Sequence, residues 1–108
     1  MILYEVNLDI SDSIYDDYMA WLTPHIKEML KFEGFIKADI FHNTESEIGV
    51  KKVTAAYLVD SEENLNHYLS EMAASMRSDG INRFGDKFSA TRRVLRLTES
   101  YESEVNQL

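Results

Sequence analysis

The chain has 108 residues, 44% of them hydrophobic and 28% charged, the balance of one globular domain rather than of a disordered segment. It holds no cysteine, 4 glycines and 1 proline, which excludes disulfides, thiolate metal sites, cysteine nucleophiles and Gly- or Pro-rich linkers. With 11 basic residues against 19 acidic ones, a net charge of −8, neither nucleic acid nor an anionic membrane is expected as a partner.

From Ile2 to Ile10 the even positions (Ile2, Tyr4, Val6, Leu8, Ile10) are apolar, while Glu5, Asn7 and Asp9 are polar. That period of two predicts a first strand. No basic stretch precedes it, and the longest clean apolar run, Ala55 to Val59, is far below the ~18–20 residues of a membrane span. A cytoplasmic protein is the expectation. Ser11-Asp12-Ser13 offers helix caps. Ile14, Tyr18, Trp21, Leu22, His25, Ile26 and Met29 follow at helical spacing. Pro24 removes a backbone donor and clashes one turn back, so two helical segments are expected, over 12–22 and 24–32, joined by a kink. Glu33-Gly34 ends the second.

Phe35 to His42 and Val50 to Asp60 read as strands on either side of a polar turn, Asn43 to Gly49, and so as a hairpin. Asp60-Ser61-Glu62-Glu63 is a capping signature with Glu63 three residues after Asp60. Leu65, Tyr68, Leu69, Met72, Ala73 and Met76 give an amphipathic helix. Arg77 to Asp86, containing Gly80 and Gly85, reads as a loop or short helical turn. Lys87 to Leu97 forms a last strand, and residues 99–108 an acidic, flexible tail outside a single domain over residues 1–98.

The order β-α-β-β-α-β builds two right-handed split βαβ units. The fold class is therefore α+β, a ferredoxin-like antiparallel sheet with both helices on one face. The other face must show several of Leu3, Phe35, Phe41, Thr54, Ala56, Leu58, Leu95 and Leu97. Such a surface is rare in a soluble monomer, and a second copy is the simplest cover. A homodimer packed sheet to sheet is expected.

Charge is unevenly spread. Residues 77–98 carry Arg77, Arg83, Lys87, Arg92, Arg93 and Arg96 against Asp79 and Asp86, a basic segment in an acidic chain. Arg83, Arg92 and Arg93 are anion candidates because guanidinium forks match carboxylates; alternatively they pair with acids of the same sheet or of a partner subunit. Arg92 and Arg93 are adjacent and face opposite sides of a regular strand. Trp21 and His25, four apart, stack on one helix face, where His25 is either a pocket acid/base or ligand or a core histidine bonded to a backbone carbonyl. His42 ends a strand phase, near a dimer cavity or simply in solvent. His67 lies beside the apolar stripe of the second helix. Three histidines on three elements show no metal-ligand spacing, and no nucleophile elbow, phosphate loop or dinucleotide fingerprint occurs. No metal or cofactor is implied.

Three stretches carry a resemblance: Met1-Ile-x-Tyr-x-Val6, Trp21-x-x-x-His25-Ile26-x-Glu28, and Arg83-Phe84-Gly85-Asp86-Lys87-Phe88-x-Ala90-x-Arg92. The chain resembles an uncharacterised bacterial domain-of-unknown-function family of the dimeric α/β-barrel superfamily. It departs from that family in carrying Lys27 where a proline usually follows His-Ile, its own proline being Pro24. The superfamily is similar in fold to cofactor-independent monooxygenases, haem-degrading monooxygenases and small isomerases, and fold alone does not choose among them. The haem-degrading relatives imply a first-strand Asn, a third-strand aromatic and a second-helix His, positions held here by Asn7, Tyr57 and His67. The expectation is a small homodimeric protein binding a small, partly apolar anion between sheet and helices. The alternative is a monooxygenase-like enzyme, cofactor-independent or haem-degrading. An enzyme needs an enclosed pocket of ~300 Å³ or more; a purely structural module fills that space with Trp21, Phe35, Phe41, Phe88 and their neighbours.

Overall fold

Alternating apolar residues make a long first strand, β1 (Ile2–Ser11), in the computed structural model, which describes residues 1–45 and 47–105. A 3-10 turn (Asp12–Ile14) leads into α1 (Tyr15–Met29), followed by β2 (Phe35–His42), β3 (Val50–Val59), α2 (Glu62–Glu71), α3 (Ala73–Phe84), a second 3-10 turn (Gly85–Lys87) and β4 (Phe88–Arg96). The strands form one antiparallel sheet in the order β2-β3-β1-β4. Both crossovers lie on one face, so the fold is ferredoxin-like α+β. The tail expected over 99–108 has no strand or helix as far as Val105, and its residues 106–108 lie outside the described residues, as does Ser46 in the β2–β3 turn.

Two helical expectations need correction. Pro24 does not restart the helix: α1 is one element from Tyr15 to Met29 with Pro24 inside it. Pro24 and Ala20, whose carbonyl group it deprives of a partner, are on the exposed side, so the missing bond does not fall in the core. The Thr23 hydroxyl donates to the Met19 carbonyl oxygen at 3.3 Å, adding a bond beside the gap. The segment from Arg77 to Phe84 is not a loop but most of α3. The helical stretch is interrupted at Met72 (φ −116°, ψ −29°), between α2 and α3. The cap of α2 is Ser61, whose hydroxyl oxygen accepts from the Asn64 backbone N–H at 3.1 Å, while Asp60 accepts from the Asn64 side chain at 2.9 Å.

The core lies between sheet and helices in two clusters. One gathers Ile2, Tyr4, Met29, Phe35, Tyr57, Val59, Leu65 and Tyr68; the other gathers Leu8, Ile10, Tyr18, Leu22 and Val53. Val6 and Ile26 touch both, and a pocket opens at this seam.

Phe35 belongs to the core and not to the bare face of the sheet. The register slips between Phe35 and Lys37 opposite Val59 and Leu58. This bulge turns Phe35 inward against Phe32, Tyr57 and Tyr68, and leaves Ile36 half-exposed. On the bare face the registers bring Leu58, Leu3 and Leu95 into one row. Beside them run Ala56, Glu5 and Arg93, then Thr54, Asn7 and Thr91, with Phe41 at the edge. That face is apolar at one end and charged towards the other.

Candidate functional site

The pocket between the sheet and helices α1 and α3 has a volume of about 400 Å³. It exists because the α1 side chains that cross the seam, Trp21 and His25, stack against each other rather than filling it. Their rings are 4.5 Å apart at 25°. The Trp21 indole N–H donates to Asp79 Oδ2 at 2.6 Å, and Asp79 also pairs with Arg83 at 3.5 Å. The indole lies flat on α3 because Gly80 has no side chain: a Cβ there would come within 2.8 Å of the ring. Tyr18 packs on Phe84 and Phe88, each at 5.0 Å between ring centroids, and completes an aromatic end of the pocket.

The opposite end is polar and phenolic. Tyr4, Tyr57 and Tyr68 line it together with Arg77 and Arg92. Arg92 opposes, through its charge, the ionisation shifts of Tyr18, Tyr57 and Tyr68, so its guanidinium acts on all three. Burial outweighs that pull. It pushes Tyr18 and Tyr68 up to about 12 and Tyr57 above the ordinary phenol range. The phenols therefore stay protonated at neutral pH and can donate hydrogen bonds. Burial lowers the His25 pKa, with Asp79 pulling weakly the other way; the neutral imidazole is the form that can accept a proton.

The residues singled out from the sequence separate into two groups. Trp21, His25, Tyr57 and Arg92 meet in the pocket. Asn7 sits on the bare sheet face, accepting from Thr54 at 2.6 Å, opposite to the pocket. His42 is bonded to the Tyr15 hydroxyl at 2.7 Å across the exposed side of β2. Arg83 lies on the outer side of Trp21, in a shallow groove with Asp17 and Pro24. Arg93 pairs with Glu5 on the bare face at 2.7 Å. Arg77 was not singled out, although its Nη2 donates to the Tyr4 hydroxyl at 3.0 Å in the pocket. Extending the helical period through α3 places Ala73, Arg77, Gly80 and Phe84 on one face, the signal that a loop reading of Arg77–Asp86 conceals.

Among the described residues no group of three or more His, Cys, Asp or Glu is placed to hold a metal, and no helix is long and apolar enough to cross a membrane. The haem-associated trio does not assemble. Asn7 faces the bare side, Tyr57 lies in the pocket wall, and His67 is exposed on α2.

No curated protein matches the chain by sequence. Solved structures match it by shape. A Deinococcus radiodurans protein provisionally assigned as an antibiotic biosynthesis monooxygenase has a TM-score of 0.75 at 10% identity, covering 97% of this chain and 100% of that one. A variant of SnoaB, a cofactor-independent oxygenase from Streptomyces nogalater, has a TM-score of 0.71 at 6% identity, with coverages of 94% and 98%. The heme-degrader MhuD from Mycobacterium tuberculosis, solved with two hemes in its active site, has a TM-score of 0.64 at 8% identity, with coverages of 93% and 99%. At such identities the likeness is one of fold. Residues 1–98 match the family model described as "Domain of unknown function (DUF4286)", and the chain belongs to that family.

Proposed function

We propose that the protein binds a small anionic molecule with an apolar, aromatic body in the pocket between the sheet and helices α1 and α3, and that it does so as a homodimer. The observation that carries this reading is the composition of the pocket. Two arginines and four tyrosines share about 400 Å³ with Trp21, Leu8, Leu22 and Phe88. A cavity of that size suits a compact organic ligand. The cations and phenolic donors match an anion, and the rings and aliphatic walls match a flat apolar body.

A monooxygenase-like activity is the second reading, favoured by one observation: a neutral imidazole, His25, stands in the same pocket as the phenolic donors. A proton acceptor facing hydrogen-bond donors is the arrangement that stabilises a deprotonated, oxyanionic substrate. The fold neighbours support this class without choosing within it. Asn7 and His67 give the haem-degrading version no support, since neither is in the pocket.

Trp21 is the single tryptophan of the chain and lines the pocket, so its emission reports occupancy directly. Titration with a panel of aromatic carboxylates is expected to change that emission saturably. Substitution Arg92→Met should weaken the same titrations. A panel that leaves Trp21 emission unchanged up to millimolar concentration contradicts the reading. Haem added alone is expected to give no Soret shift, and oxygen uptake in the presence of a bound aromatic acid separates an enzyme from a binding protein.

A further inference from the structure

The chain has 5 arginines. Arg83, Arg92, Arg93 and Arg96 are exposed, and three of them pair with a carboxylate, Arg83 with Asp79, Arg93 with Glu5 and Arg96 with Glu62. Arg77 and Arg92 pair with none among the described residues, although the chain carries 19 acidic side chains against 11 basic ones. Acids are plentiful, yet the two guanidinium groups that line the pocket are the two without one. Arg77 is the more constrained. Its Nη2 donates to the Tyr4 hydroxyl at 3.0 Å, while its Nε is sealed within the protein with no acceptor among the described residues.

We infer that the Arg77 guanidinium, held by the Tyr4 hydroxyl, anchors the carboxylate of the ligand, that Arg92 supplies the second positive charge, and that the ligand is an aromatic monocarboxylic acid whose ring lies toward Tyr18, Trp21 and Phe88. This assignment rests on the pocket reading above and adds its polarity. The Tyr4 oxygen already accepts from Arg77, so its own proton is free for the second carboxylate oxygen. The two core clusters set the direction: Tyr4, Tyr57 and Tyr68 belong with one, and Tyr18, Trp21 and Phe88 with the other. A carboxylate at the first end and a ring at the second span the seam between them. The carboxylate supplies the counter-charge that both guanidinium groups lack, a charge-assisted interaction in a partly enclosed site.

Calorimetry with cinnamate and its neutral isostere cinnamamide tests this on the full chain. Wild-type protein is expected to bind the acid at least roughly tenfold more tightly than the amide, the ratio that one charge-assisted hydrogen bond supplies. In Arg77→Met the advantage of the acid disappears while amide affinity stays near wild type. A purely structural Arg77 keeps the acid preference. Tyr4→Phe, which keeps the ring, should weaken acid binding several-fold and serves if Arg77→Met fails to fold. Equal affinity for acid and amide in the wild type, or unaltered acid affinity in Arg77→Met or Tyr4→Phe, overturns the anchor and leaves the pocket reading standing. If neither compound binds, both fall together.

Discussion

His25 shows how one residue couples the site to stability. Burial depresses its pKa in the folded state, so the unfolded chain, with an ordinary value near ~6.5, takes up the proton first as the pH falls. The neutral imidazole's contribution is full above that value and is lost as acid drives protonation through the folded pKa. Denaturation at stepped pH should show wild-type stability falling between pH 7 and 5 more steeply than that of His25→Gln. Parallel curves would contradict the assigned burial. At the alkaline end the sign reverses. Tyr18 and Tyr68 have pKa values raised to about 12, so stability persists up to the ordinary phenol range near ~10 and is lost above it as the unfolded chain ionises. Trp21 and His25 were legible in the sequence because four-residue spacing on an apolar helix face is a geometric signal. Asn7 misled for an equally geometric reason: it has the odd phase of β1, which belongs to the bare face. Gly80 offers a sharper test at this scale. Alanine is favoured over glycine in a helix by about 1 kcal/mol, yet a Cβ at this position meets the Trp21 ring at 2.8 Å. Gly80→Ala is expected to lower Tm and shift Trp21 emission; a raised Tm with unchanged emission would show that the indole does not rest there.

Elements were legible where periodicity was uninterrupted. β1, the β2–β3 hairpin and β4 follow from alternation, and the sheet order follows from the β-α-β-β-α-β sequence by the handedness of the crossovers. The errors came from local breakers overruled by packing. Pro24 and Gly80 are both strong punctuators by composition, yet each lies within a helix, one on its wet side and the other against an indole. Because Pro24 deprives the Ala20 carbonyl group of its partner, the proline still weakens α1. Pro24→Ala should restore the bond to Ala20 and stabilise the protein by about 1–3 kcal/mol, read as a rise in Tm. A fall would mean that the ring's contacts in the shallow groove outweigh the backbone bond. The inward turn of Phe35 was not legible at all, since a single-residue bulge leaves no mark in an otherwise alternating strand.

At the scale of the molecule the chain is more open than its length requires. Its accessible surface is 7545 Å², against about 6,200 Å² for a compact monomer of this mass. Its radius of gyration is 15.4 Å, against about 13 Å. The extended residues after β4 and the bare sheet face both contribute. Leu95 and Phe41 on that face are exposed, and the row Leu58–Leu3–Leu95 gives it an apolar end. These features support the proposed sheet-to-sheet homodimer, for which sedimentation at micromolar concentration should give twice the chain mass. Leu58→Arg should shift that mass toward the monomer, and a wild-type monomer contradicts the proposal. The pocket lies on the other face of the sheet, so the central claim of ligand binding stands independently of assembly. Nitrogen-15 NMR of the arginine Nε–H and indole N–H groups during titration with cinnamate tests that claim most directly. Saturable shifts are expected at Trp21, Arg77 and Arg92, with Arg93 and the amides of Leu3 and Thr54 on the bare face unmoved. Shifts confined to the bare face, or none that saturate, would contradict it.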